Sequence, residues 1–226
     1  MKTAKTRKLP PLRLVIFDMD GLMLDTERLH LEGHIETYKT LGIPINEDYL
    51  FQNLGIVSFD LSQLIVGDIP PGLDLESATL ELYNMRAERL CAQGLPKKPG
   101  LDELLAFLQA RQLPLALATS SKRPLVLQYL SSLNLLSLFT CIVTGSDVKQ
   151  GKPAPDIHRQ ILKETSSDPA KVLVLEDSVN GVLAAHRAGI EHLVMVPDLV
   201  KPPKEIADLV YFIADSLYDI PALFAD

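Results

Sequence analysis

The chain has 226 residues, 47% apolar and 23% charged, with 22 Lys and Arg against 29 Asp and Glu for a formal net charge of −7. This supports one large domain, or a medium domain carrying a small one, and excludes a disordered or disulfide-built chain. The negative balance argues against a nucleic-acid binder held by phosphate neutralisation; with only Cys91 and Cys141, neither a cysteine metal cluster nor a disulfide framework is available, and a cytoplasmic setting is expected.

Lys2, Lys5, Arg7, Lys8 and Arg13 precede the first acid, Asp18, and read as a solvated basic terminus. No apolar core of a signal peptide follows them, and no apolar run approaches the ~20 residues of a bilayer span. Leu12 to Phe17 is then the first predicted strand, ending in Asp18-Met19-Asp20-Gly21. Nearly a hundred residues separate it from the next, far more than a βα connection needs, so an insertion is expected. Helical patterns fill it: Glu27 to Leu41, Asn46 to Gln52, Leu61 to Val66 and Leu75 to Cys91. Gly- or Pro-bearing links, Gly21 to Thr26 and Gly94 to Gly100, flank these helices as candidate hinges.

Beyond the insertion, helices are expected at Leu101 to Ala110, Pro124 to Leu130, Pro155 to Lys163 and Val179 to Ala188, the last ended by Gly189. Strands are expected at Leu115 to Thr119, Cys141 to Thr144, Val172 to Glu176 and His192 to Val196. Short apolar strands alternating with helices predict an α/β fold: a Rossmann-like open parallel sheet core, residues 1–26 and 96–226, with an inserted small α-helical cap, residues 27–95. Ligands of such sheets bind beyond the carboxyl ends of the strands, so the informative residues belong there.

The Asp18 and Asp20 pair at one strand end and Glu176-Asp177-Ser178 at another supply hard oxygen donors. Carboxylates crowded together repel unless a cation or a proton-transfer role offsets the cost, and Mg²⁺ is the ion such donors favour. Thr119-Ser120-Ser121-Lys122 is a hydroxyl-rich turn before a helix, able to bind a phosphoryl group or simply to cap the helix. Lys152, in Gly151-Lys152-Pro153, can add a positive charge. His30, His34, His158, His186 and His192 form no HExxH motif, and a zinc site has little support. Five residues separate Gly145 and Gly151 where a P-loop has four, Pro153 replaces its Ser or Thr, and no GxGxxG follows the first strand.

Asp18-Met19-Asp20-Gly21, Thr119, Lys152 and Glu176-Asp177-Ser178, in this order, resemble the haloacid dehalogenase-like hydrolase superfamily. Phe17 through Glu27 is similar to the start of its β-phosphoglucomutase-like phosphatase branch with a helical cap. The resemblance spans about residues 14 to 215. It implies a Mg²⁺-dependent phosphomonoester hydrolase in which Asp18 attacks phosphorus to form an aspartyl-phosphate and Asp20 is the general acid and base. It also implies that Thr119 binds the transferring group, with Ser120 and His30 as candidate substrate contacts, and that Lys152 neutralises charge. Asp18, the Asp20 carbonyl and Asp177 would hold Mg²⁺, assisted by Glu176. A small phosphorylated metabolite, a sugar phosphate or nucleoside monophosphate, is the expected partner of a monomer, a dimer being left open, with no nucleic acid or membrane.

Two alternatives accompany this reading. His30 matches the position of a mutase histidine, but Asn53 to Phe59 lacks the Lys and Arg expected to grip a second phosphate, which favours hydrolysis over a β-phosphoglucomutase-like reaction. A non-catalytic ion-binding or interaction protein is the other. Asp20 disfavours dehalogenation, and Lys39, the cap's lysine, has no resemblance-based reason to act as a phosphonatase's imine-forming residue.

Overall fold

The structure, a computed structural model, describes residues 8–52, 64–198 and 201–225. Six strands, β1 (Leu14–Phe17), β2 (Leu115–Thr119), β3 (Phe139–Thr144), β4 (Val172–Glu176), β5 (His192–Met195) and β6 (Phe212–Ile213), form one sheet in the order β3-β2-β1-β4-β5-β6. Every neighbouring pair is parallel. The central strands are apolar on both faces because helices cover both. In β1, Val15 and Phe17 enter one core while Leu14 and Ile16 enter the other; in β4, Leu173 and Leu175 alternate likewise with Val172 and Val174.

On the first face lie α4 (Leu101–Ala110) and α5 (Arg123–Ser132), together with the 3₁₀ segment Leu217–Leu223. Helix α4 repeats leucine at 101, 104, 105 and 108, and all four are buried, each worth about 2 kcal/mol of removed apolar surface. On the second face lie α6 (Asp156–Glu164), α7 (Val179–Arg187) and the short α8 (Lys204–Ala207). Pro124 sits in the first turn of α5, where a missing N–H breaks no helical bond, and Gly189 follows α7 at φ 87°.

The helices inserted between β1 and β2 are α1 (Glu27–Thr40), α2 (Glu47–Gln52) and α3 (Leu75–Gln93). Asp74 caps α3 by accepting from the Ser77 N–H at 3.2 Å. Arg86 of α3 binds Glu36 at 2.8 Å and the Leu29 carbonyl, tying α3 to α1. The two links to the core run side by side: the Asp25 N–H donates to the Pro96 carbonyl and the Lys98 N–H to the Met23 carbonyl, both at 2.9 Å.

The strand and helix pattern matches the expectation, with local differences. Leu12 lies outside β1, β3 begins two residues early at Phe139, and β6, α8 and Leu217–Leu223 add a C-terminal closure. Within the expected helix Leu61 to Val66, residues 61–63 lie outside the described residues. Its end is not helical: Ile65 bridges Ile45, and the Val66 N–H donates to the Pro44 carbonyl at 3.1 Å. Among the described residues no helix is long and apolar enough to cross a membrane.

Candidate active site

Strand β1 is central, and the strand order runs away from it on both sides, so the crevice at its carboxyl end is where a ligand enters. Asp18 follows it directly, anchored by its N–H on the Leu175 carbonyl at 3.1 Å. The chain then folds back: the Met23 and Leu24 N–H groups donate to the Met19 carbonyl, and Gly21 donates to Leu24. Met19, Leu22, Met23 and Leu24 are wholly buried and pin this turn into the core. Asp20 accepts from Thr26 Oγ1 on one carboxylate oxygen and from Ser121 Oγ on the other, each at 2.6 Å. The Thr26 hydroxyl, placed to cap α1, makes no side-chain cap.

Lys152 reaches the same crevice from the loop after β3. Its Nζ donates to Asp18 Oδ1 at 2.5 Å, to Glu176 Oε1, and to the Ala118 carbonyl at 2.8 Å. Lys152 is only 5% exposed. Burial opposes its charge, yet Asp18 and Glu176 outweigh burial and hold its pKa above the ordinary lysine value. Burial pushes the Asp18 carboxyl well above the usual range, against Lys152, with Glu176 and Asp20 adding to the rise.

Asp18, Glu176 and Asp177 present ligand oxygens within 4.8 Å of one another. Two glycines make room for them. A Cβ on Gly181 would sit 1.9 Å from Glu176 Oε1, and one on Gly21, at φ +83°, would sit 2.2 Å from Asp177 Oδ2. Three acids face one lysine here, so the pocket carries more negative charge than it neutralises and its donors are hard oxygens. That donor set fits Mg²⁺ or a similar divalent cation. Ser178 caps α7 by accepting from the Gly181 N–H at 3.1 Å and donates to Glu176 Oε2, also at 3.1 Å, fixing the far side of that carboxylate.

Thr119 ends β2 and is 1% exposed; its hydroxyl oxygen accepts the Ser121 N–H at 3.1 Å. The turn is braced against β3: Arg123 binds Asp147 through Nε at 2.9 Å and Nη2 at 2.7 Å, and Asp147 accepts from the Thr144 N–H and hydroxyl. Arg123 holds the Asp147 carboxyl down at about 2. The carbonyl of Ser120 packs against Gly145.

Of the residues expected from sequence, Asp18, Asp20, Thr119, Lys152, Glu176 and Asp177 converge at the ends of β1, β2 and β4. Ser120 lies in the same turn, but Ser121 is the serine that bonds Asp20. His30 lies in α1, with its side chain outside the described part, as is the loop Asn53 to Phe59. Sequence reasoning named Ser121 only as part of the hydroxyl-rich turn and missed its bond to Asp20, the role of Thr26 and the Arg123–Asp147 brace. Contacts across 101 and 24 positions leave no local signal.

A family model described as haloacid dehalogenase-like hydrolase matches residues 15–195. The chain is 35% identical over 179 residues to a phosphorylated carbohydrates phosphatase of Thermotoga maritima, covering 79% of this chain and 82% of that protein. It is 34% identical over 192 residues to (DL)-glycerol-3-phosphatase 2 of Arabidopsis thaliana, covering 81% and 79%. Its fold is similar to the crystal structure of CbbY from Rhodobacter sphaeroides in complex with phosphate, with a TM-score of 0.76, 27% identity, and 92% and 96% of the two chains covered.

Proposed function

We propose that this chain, which belongs to the haloacid dehalogenase-like hydrolase family and is a phosphohydrolase, dephosphorylates a small phosphorylated sugar or polyol through a covalent intermediate on Asp18. The observation that carries this reading is the buried Lys152 ammonium bonded at once to Asp18 and Glu176. An anionic nucleophile attacks an anionic phosphate only where positive charge is already in place. The similarity to the carbohydrate phosphatase and the glycerol-3-phosphatase supports the substrate class.

In the first step an Asp18 carboxylate oxygen forms a bond to phosphorus as the ester P–O bond breaks, and Asp20 gives its proton to the departing alkoxide. In the second, Asp20 takes a proton from water, whose oxygen attacks phosphorus; the Asp18–phosphorus bond breaks and inorganic phosphate leaves. Thr119 receives an N–H on its oxygen, which directs its own proton outward to a phosphoryl oxygen. Thr26 and Ser121 hold the Asp20 carboxylate. Asp18, the Asp20 carbonyl and Asp177, with Glu176 beside them, would hold Mg²⁺, which would supply positive charge to keep Asp18 ionised and to offset charge on the phosphoryl group. The cap, assigned to residues 27–95, would close over this site, its His30 and the core's Ser120 contacting the substrate's other end and water being excluded during transfer. The absence of Lys and Arg from Asn53 to Phe59 favours hydrolysis over transfer between two positions of a sugar bisphosphate.

The test is phosphate release from sugar phosphates, glycerol phosphates and nucleoside monophosphates, with Mg²⁺ and with EDTA. Asp18→Asn is expected to stay folded and release nothing. Wild-type release by that variant would remove Asp18 as nucleophile, and isomerisation of a sugar phosphate faster than its hydrolysis would favour a mutase.

A further inference from the structure

We propose that Asp198 is a positioning residue of the metal centre: its Oδ2 accepts a hydrogen bond from a water molecule bound to the cation, while Lys98 holds the carboxylate in place. This rests on the cation site proposed above. Asp198 lies just past β5, where the Val196 N–H donates to the Glu176 carbonyl at 2.7 Å and keeps this segment alongside the strand end that carries Asp177. Its side chain is 8% exposed, and its Oδ1 receives Lys98 Nζ at 2.6 Å. The other oxygen, Oδ2, is buried, and among the described residues no donor reaches it.

The position of that oxygen gives it a use. A Cβ on Gly21 would lie 3.3 Å from Asp198 Oδ2 and 2.2 Å from Asp177 Oδ2, so both oxygens face the same backbone carbon. Asp198 nevertheless does not join the group formed by Asp18, Glu176 and Asp177, whose ligand oxygens lie within 4.8 Å of one another. It therefore stands outside that group while bordering it across Gly21. A buried acceptor left without a donor is costly, and its carboxylate neighbour Asp177 offers none when ionised. Water on a divalent cation is a strengthened donor that satisfies it.

Lys98 has two further contacts that join this residue to the cap links. Its own N–H donates to the Met23 carbonyl, and its Nζ lies 3.7 Å from Asp25 Oδ1. The cation's outer layer is thereby held by the same lysine that ties the two links together.

The experiment is a calorimetric titration of the full chain with Mn²⁺, without substrate, alongside melting in EDTA. In Asp198→Asn the ammonium of Lys98 keeps the amide oxygen on its side, so an NH₂ donor replaces the acceptor. The Mn²⁺ dissociation constant is expected to rise about tenfold, with folding retained in EDTA. Lys98→Met frees the carboxylate but keeps the accepting oxygen, and is expected to loosen Mn²⁺ by less than Asp198→Asn. Should Asp198→Asn fail to fold, Asp198→Ser is read in the same way. A folded Asp198 variant with wild-type affinity, or Lys98→Met loosening Mn²⁺ equally, overturns the role of Asp198 alone. A wild-type chain that binds no Mn²⁺ overturns the cation site and this inference with it.

Discussion

Lys152 Nζ lies 2.5 Å from Asp18 Oδ1, although 134 positions separate the two residues in the chain. The contact exists because β1 and β2 are adjacent in the sheet and the loop after β3 returns over their carboxyl ends. Both side chains are buried, so neither charge is relieved by bulk water, and each depends on the other.

Replacing Lys152 by Met keeps the apolar stem and removes the charge. Turnover is expected to fall at least about 100-fold, in the range seen when one transition-state stabiliser is lost. The cation-free protein is expected to lose about 3 kcal/mol, because Asp18 and Glu176 are left buried without their ammonium. Phosphate-release assays and melts with and without Mg²⁺ check both, with Mg²⁺ recovering part of the lost melting temperature. Wild-type turnover in this variant would take Lys152 out of the chemistry.

Gly21→Ala and Gly42→Ala separate backbone strain from crowding of the site. Gly21 has φ +83° and Gly42 φ +69°, but a Cβ on Gly42 meets nothing within 4 Å, whereas one on Gly21 meets Asp177. Each substitution is expected to cost about 1 kcal/mol for the left-handed backbone. Only Gly21→Ala should also weaken Mg²⁺ binding and turnover, by displacing Asp177. Equal metal affinity in the two variants would show that Asp177 yields without consequence.

His158, on the buried side of α6, has both ring nitrogens without a hydrogen-bond partner among the described residues. Burial, then the nearby Lys152, pushes its pKa well below the ordinary histidine value. The folded chain keeps the imidazole neutral while the unfolded chain takes up a proton near pH ~6.5, so this stabilising contribution is present above that pH and is lost as pH falls. His158→Phe, similar in size and without nitrogens, is expected to gain about 1 kcal/mol at pH 7 and to lose less stability on acidification. Urea unfolding at several pH values from 7.5 to about 5 measures it; an acid-side loss as steep as wild type would assign that sensitivity to another group.

The five strands expected from sequence were legible because parallel strands buried on both faces appear as unbroken apolar runs, as in Leu14–Phe17 and in Val172 to Leu175 of β4. Helix α4 was legible from its leucine spacing, and the stop at Gly189 from the glycine. Strand β6 was not, since a pair of residues, Phe212 and Ile213, carries no periodicity and is set by the edge of β5 beside it. The extended end at Ile65 and Val66 was missed for the same reason: its partners, Ile45 and Pro44, are supplied by another part of the cap.

By itself the sequence determined which residues stand at strand ends, since strand period and turn chemistry are local properties. Asp18, Thr119 and Glu176 could be placed there without coordinates; their acidic and hydroxyl chemistry pointed to a cation and left phosphoryl binding open beside helix capping, and phosphoryl transfer was implied by the family resemblance. Only the tertiary structure decided which of these groups bond to one another. Lys152 spans Asp18 and Glu176, Ser121 and Thr26 share Asp20, and Lys98 takes one oxygen of Asp198. Apart from Thr26–Asp20, which closes within the β1–α1 connection, each of these contacts joins separate elements or loops, and hydrogen bonds and buried charge act over a few ångströms, a distance fixed by how the sheet and its links pack.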